Sequence, residues 1–232
     1  STPPAFHLQV QGLSLGPIHN LSYTWPSGVS WLCGDEGKGK TTLLRLLAGD
    51  VQPAAGTVTR PAGGVFWVNL QGPEHDATTV QACWSQLRER CPQWNEELLN
   101  DLAQELDMVR HLDKQLHMLS AGSRRKVMVI AALASGACVT LLDQPFVALD
   151  FASIGIIKEF LHDAAEHPSR AWIVADYTAP DDVPLASVLT TRTRLGRMTN
   201  TYDHAPTCSS GRAESAPNGA AKSSVPHRAP KA

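Results

Sequence analysis

Residues Gly34, Asp35, Glu36, Gly37, Lys38, Gly39, Lys40, Thr41 and Thr42 form one run with the spacing G-x-x-x-x-G-K-[ST]. That spacing suits one task, the gripping of a chain of phosphates. Gly37 and Gly39 let the backbone approach a phosphate with no Cβ in the way. Lys40 is placed to reach the β- and γ-phosphates, and the Thr41 hydroxyl to ligate Mg²⁺. A second group with chemical potential is the carboxylate of Asp143, which ends the apolar run Val139-Thr140-Leu141-Leu142. In proteins with such a loop, an aspartate closing a buried strand is held near the same ion. These residues predict a site for a nucleoside triphosphate and its Mg²⁺.

Groups like these work only if the chain holds them in place. Before the loop comes an apolar, β-favouring stretch, Gly28 to Cys33; after it comes a helical one, Thr42 to Ala48, closed by Gly49. A strand, a glycine loop and a helix start, in that order, aim backbone N–H groups and the positive end of the helix dipole at one point. Phe6 to Val10, Leu13 to Leu15, Asn20 to Tyr23, Gly56 to Thr59 and Val65 to Val68 read as further strands. From Thr79 to about Leu116 the period changes. Val80, Cys83, Trp84 and Leu87, then Leu98, Leu99, Leu102 and Leu106, recur at helical spacing, with breaks at Pro92 and near Asn95. A second strand–helix–strand passage runs through Cys138 to Leu142, Phe151 to Ala165 and Ala171 to Ala175. The uncharged stretch Val127 to Leu142 is divided by Ser135-Gly136 and reads as a buried helix followed by a buried strand rather than a bilayer span. Beyond Asn200, alanine, serine, proline and glycine dominate, and such a segment buries too little to offset its ordering entropy.

At 232 residues the chain suits one domain, or one domain with a small insertion and a tail. A formal charge of −2 gives no reason to expect nucleic acid. The five cysteines are odd in number and lack a C-x-x-C pair, which argues against a disulfide framework and a zinc site and fits a reducing compartment. The histidines are dispersed, with no metal-binding spacing. The N-terminal Ser1-Thr2-Pro3-Pro4 is not a charged leader before an apolar block, and the expectation is a cytoplasmic protein.

Just upstream of the Asp143 strand lies Leu119-Ser120-Ala121-Gly122-Ser123, followed by Arg124-Arg125-Lys126 at the opening of a helix. Here the chain resembles the ATP-binding subunit of ABC transporters, whose signature reads L-S-G-G-Q before a basic helix. The order of parts matches as well: phosphate loop, Gln71 after a strand, helical insertion, signature, Asp143 strand, then Ala148-Leu149-Asp150 as the D-loop. The runs Leu-Ser-Ala-Gly and Leu-Asp-Gln-Pro-Phe-Val-Ala-Leu-Asp are most similar to the haem-exporter ATPases of cytochrome c maturation. The resemblance implies an α/β fold, a P-loop NTPase of ABC type: a mixed sheet core, an antiparallel β subdomain and an inserted helical subdomain. It implies an ATP-binding domain over residues 1–195, with its helical subdomain at about 73–125, and a disordered tail from 196 to 232. Thr41, Gln71 and Asp143 become the Mg²⁺ neighbours. Leu119 to Ser123 become a second anion site, facing the ATP of another protomer, so that two nucleotides are sandwiched in a homodimer or heterodimer of cassettes. The helical stretch becomes the dock for separate transmembrane permease subunits, which would hold the protein peripherally on the inner face of the cell membrane. Trp84 and Trp94 read either as part of that dock or as plain core.

The chain also departs from the family pattern. Gln144 stands where the family places a glutamate, the general base for the attacking water; an amide can hold a water but cannot take its proton at neutral pH. Tyr177 stands in place of the histidine that contacts the γ-phosphate, with Asp176 beside it positioned to repel phosphate unless it turns away. Ala121 and Ser123 replace a glycine and the glutamine of the signature. Gly16 and Pro17 lie where the aromatic that stacks on adenine belongs. Gln144 marks either a slow or degenerate native ATPase or a change that traps the ATP-bound dimer, and the second departure at Tyr177 favours the former. A hydrolysis-deficient module paired with an active cassette, and a non-transport ABC-type ATPase, are the competing readings.

Overall fold

The computed structural model describes residues 8–191, together with the backbone of the short strands Thr193–Arg194, Arg197–Met198 and Tyr202–Asp203. Phe6, Cys208 and all of the expected tail except the last two of these strands lie outside the described residues.

Period-two alternation makes the first sheet. In β2 (Ile18–Trp25) the side chains of Ile18, Leu21, Tyr23 and Trp25 are buried while His19, Ser22 and Thr24 face outward. β1 (Leu8–Leu15) pairs antiparallel with β2 on one side and with β4 (Ala55–Thr59) on the other. The two strands expected within Leu8 to Leu15 are one strand, kept continuous by register shifts around Leu13.

The second sheet is the one that positions the chemistry. β3 (Gly28–Cys33), β5 (Val65–Phe66), β6 (Val139–Asp143), β7 (Ala171–Asp176) and β8 (Ser187–Thr190) run parallel in the order β8-β3-β7-β6-β5. β11 (Tyr202–Asp203) closes one edge antiparallel to β8. A strand covered on both faces shows no alternation, and all of β3 and nearly all of β6 and β7 are buried. β5 is the other edge and stops at Phe66; Trp67 and Val68, expected to continue it, leave the sheet.

One face of this sheet packs with α1 (Lys40–Ala48) and the antiparallel sheet, through Leu43, Leu44, Leu46 and Leu47 against Leu141, Ile173 and the buried residues of β1 and β2. The other face packs with α4 (Ala121–Ala134), α5 (Phe151–Ala164) and the helices between β5 and β6. Those are α2 (Val80–Glu89), capped by Thr79 through a bond from the Ala82 amide, and α3 (Glu96–Glu105), capped by Asn95 through the Leu98 amide. Trp84 is core: its indole N–H donates to the Val127 carbonyl at 3.0 Å and pins α2 onto α4. Trp94 sits at the rim, its indole N–H on Glu96. No helix among the described residues is long and apolar enough to cross a membrane.

Candidate functional site

Parallel pairing brings three strand ends side by side. Cys33 at the end of β3 lies opposite Asp176 of β7, and Ala175 of β7 lies opposite Asp143 of β6. The glycine run begins at the first of these ends. Gly34 has φ 147°, and a Cβ there would overlap the Thr191 hydroxyl. Gly39 has φ 91° and precedes α1 without a side-chain cap, so the first-turn N–H groups of the helix are left to an outside partner. Asp35, Glu36 and Gly37 are exposed, Lys38 and Thr42 half-buried.

Two contacts give the cradle its chemistry. The Lys40 side chain is buried, and its Nζ donates to the carbonyls of Gly34 and, at 2.7 Å, of Asp35. The ammonium is thus bent back along its own loop, where it faces whatever the loop encloses. The Thr41 hydroxyl donates to Asp143 Oδ2 at 2.5 Å across 102 residues of sequence. Burial pushes the Asp143 carboxyl above the usual carboxylate range; the bond from Thr41 and the nearby charges of Arg125 and Lys40 oppose that shift, and Asp176 adds to it. A hydroxyl and a carboxylate this close are a donor pair suited to Mg²⁺, a hard cation that binds through one or two protein oxygens plus phosphate and water. The residues present therefore fit the ion.

Two departures from the family pattern, Gln144 and Tyr177, sit beside this pair. Gln144 follows Asp143 in the left-handed region, φ 46°, held there by its N–H on the Ala175 carbonyl at 2.8 Å. Few residues other than glycine adopt such a φ, and those that do cluster at functional sites. Tyr177 follows β7, half-exposed, with its ring centroid 5.1 Å from Lys40 Nζ. Asp176 turns its carboxylate onto the Tyr177 amide at 2.7 Å. Gln71 is exposed on the loop after β5, its N–H on Asn69.

The signature occupies a different place. Ser120 caps α4, its hydroxyl accepting from the Ser123 amide at 3.1 Å; Ser120 and Ala121 are exposed and Leu119 half-buried. Gly122 is required by packing, because a Cβ there would lie 2.4 Å from the carbonyl of Ala148, itself at φ 61°. Asp150 caps α5 by accepting from the Ser153 amide at 2.7 Å, a bond that holds its carboxyl below the usual range. Signature and D-loop are thus in direct contact.

Arg124 and Arg125, read from sequence only as part of a basic helix, have specific work. The Arg124 guanidinium donates to the carbonyls of Leu70 and Gly72 and to Asp76, at 2.7, 2.8 and 2.7 Å. Arg125 reaches the Asp143 carbonyl at 3.4 Å, and burial lowers its pKa. The available signal was electrostatic: cations in the first turns of a helix oppose its dipole unless they have partners.

Comparison with known proteins gives the family. The family model described as ABC transporter matches residues 18–147, more than half of the chain. ABC transporter I family member 10 of Arabidopsis thaliana is 33% identical over 158 residues, which are 64% of this chain and 57% of that protein. A cytochrome c biogenesis ATP-binding export protein, CcmA of Hyphomonas neptunium, is 32% identical over 157 residues, 60% of this chain and 78% of that one. A solved ATP-binding subunit of an ABC transporter superposes with a TM-score of 0.69 at 19% identity, over 83% of this chain and 88% of that one. Glycine cradle, paired strand ends and matched sequence lead to one assignment: the chain belongs to the ABC transporter family, with the α/β fold of its ATP-binding domains.

Proposed function

We propose that this chain is an energising subunit: it binds Mg-ATP in the Gly34–Thr42 cradle, at an interface with a second cassette, and couples binding and slow hydrolysis to transport by separate membrane subunits. The observation that carries the reading is the Thr41–Asp143 contact beside the buried Lys40 ammonium. Lys40 and the first-turn amides of α1 hold the phosphates. Thr41 and Asp143 would hold the Mg²⁺, which would neutralise charge on the phosphates. Gln71 orients water or reports the state of the site to the membrane partner. Ser120 and the amides at the start of α4 cover the γ-phosphate bound by the mate, with Asp150 and its loop beside them. Gln144 holds the attacking water without taking its proton, so turnover is slow.

The docking part of the reading is supported by the helical unit. Gln81, Arg88, Asn100, Gln104 and Val109 line a cleft of about 280 Å³ beside α2 and α3, and Val109 is half-exposed. Such a cleft suits a short helix from a permease loop, and attachment there puts the protein peripherally on the inner membrane face. Substrate choice then rests with the permease. One alternative has a specific observation behind it. Gln144 and Tyr177 both stand where a hydrolytic cassette needs other groups, which favours a regulatory module paired with an active one.

Calorimetric titration with Mg-ATP tests the core of the proposal. The unaltered chain binds, and Lys40→Ala lowers affinity by about 10²-fold or more, as loss of a buried charged partner does. No heat of binding from the unaltered chain ends the proposal.

A further inference from the structure

Gln71 belongs mechanically to the signature side of the molecule rather than to the strand that delivers it. Two sets of bonds fasten its loop. At the far end, Asp76 to Val80 pairs with the chain that leads into the signature: Val80 N–H to Lys114, Leu116 N–H to Thr78 and His117 N–H to Asp76, at 3.0, 3.0 and 3.1 Å. At the near end, one side chain grips the carbonyls immediately before and after Gln71, those of Leu70 and Gly72, and clasps the Asp76 carboxylate as well. That side chain is Arg124, only 12% exposed and one turn into the helix that Ser120 caps. A planar guanidinium with its fork of donors fixes three acceptors in one geometry, which a lysine ammonium cannot reproduce.

We infer that Arg124 is a positioning residue that locks the Gln71 backbone to the signature helix, so that Gln71 and Ser120 move as one body. The inference rests on the proposed reading in one respect: Gln71 attends the nucleotide of its own cradle, Ser120 that of the mate. Arg124 then makes the occupancy of one cradle felt at the other. A change that shifts the Gln71 loop, from nucleotide or from a docked membrane partner, arrives at the partner-facing helix tip without passing through the sheet.

Arg124→Gln and Arg124→Lys test it in the full chain. Hydrogen exchange without nucleotide comes first. In both variants the amides from Gln71 to Asp76 exchange at least about tenfold faster, the loss of one or more charge-assisted bonds, while those of α1 are unchanged. Mg-ATP titration of the monomer then gives an affinity within about twofold of the unaltered chain, because the cradle is intact. ATP-dependent dimerisation weakens about tenfold, a misplacement effect of the kind remote changes produce, and adding Ser120→Ala lowers it less than additively. Unchanged exchange at Gln71 to Asp76, rescue of both readouts by Arg124→Lys, or a fully additive Ser120→Ala overturns the inference. If the unaltered chain binds no Mg-ATP, it is the proposed function that has failed, and the exchange experiment still decides whether Arg124 holds the loop.

Discussion

The proposed grip on phosphate and the residues beside it are built to different standards in this molecule. On the grip side every part agrees: Gly39 opens α1 at φ 91°, Lys40 bends into the loop, and Thr41 meets Asp143 at 2.5 Å. On the other side the positions proposed to act on water and on the γ-phosphate carry an amide and a phenol, Gln144 and Tyr177. Both nonetheless occupy ordered positions, Gln144 in a left-handed backbone conformation fixed by Ala175 and Tyr177 over the Lys40 ammonium. The scaffold of the chemistry is intact while its functional groups have changed. In the proposed function binding and turnover are separable, because gripping a triphosphate needs charge and backbone amides whereas cleaving it needs a base as well.

The sharpest way to break that contrast is Gln144→Glu. Supplying a carboxylate at a position already aimed by the backbone raises steady-state phosphate release by about 10²–10⁴-fold, with Mg-ATP affinity little changed. No increase in the isolated chain points instead to pairing with an active cassette. A smaller effect attends Tyr177→Ala. The ring over Lys40 is worth about 0.5–1 kcal/mol at a partly exposed site, and incoming phosphate competes with it for the ammonium. Removing it tightens Mg-ATP binding by roughly two- to fivefold; weaker binding by calorimetry would mean that the ring contributes to holding nucleotide.

The smallest expected effect concerns pH. With Tyr177 in place of the family's histidine, no imidazole directly follows β7, and Mg-ATP affinity stays flat between about pH 6 and 7.5. Stability does not. His167 lies away from the strand ends, its Nδ1 accepts from the amides of Ser169 and Arg170 at 3.2 and 3.1 Å, and burial with the Arg170 charge holds its pKa below the ordinary imidazole range. The folded state thus resists a proton that the unfolded chain accepts. Stability is full above the unfolded pKa of about 6.5 and is lost as pH falls toward the depressed folded value. His167→Gln flattens this acid limb in thermal melts.

Much of the cradle could be read from the sequence because its parts are neighbours there. Gly34 to Thr42 carry the loop, the helix start and the lysine within a single stretch, and the flanking patterns announce strand and helix. Caps are local too, and Thr79, Asn95, Ser120 and Asp150 all begin helices where their side chains can satisfy an amide. Strand limits were less legible. Trp67 and Val68 have the composition of a strand, yet β5 is an edge with a single neighbour and ends before them. Composition reports a preference for extended backbone; pairing decides whether it is met.

By itself, then, the amino-acid order determined a glycine loop between strand and helix, a serine-capped helix, and an aspartate at a strand end followed by an amide, since each is written in adjacent residues. Only the folded molecule decided that Thr41 meets Asp143, that Tyr177 covers Lys40, and that Arg124 holds the loop around Gln71. Those contacts join residues far apart in sequence, by 102 positions for Thr41 and Asp143 and by 54 for Arg124 and Leu70. They exist because parallel strands stack their ends at one edge and because a buried guanidinium must find acceptors wherever packing puts them.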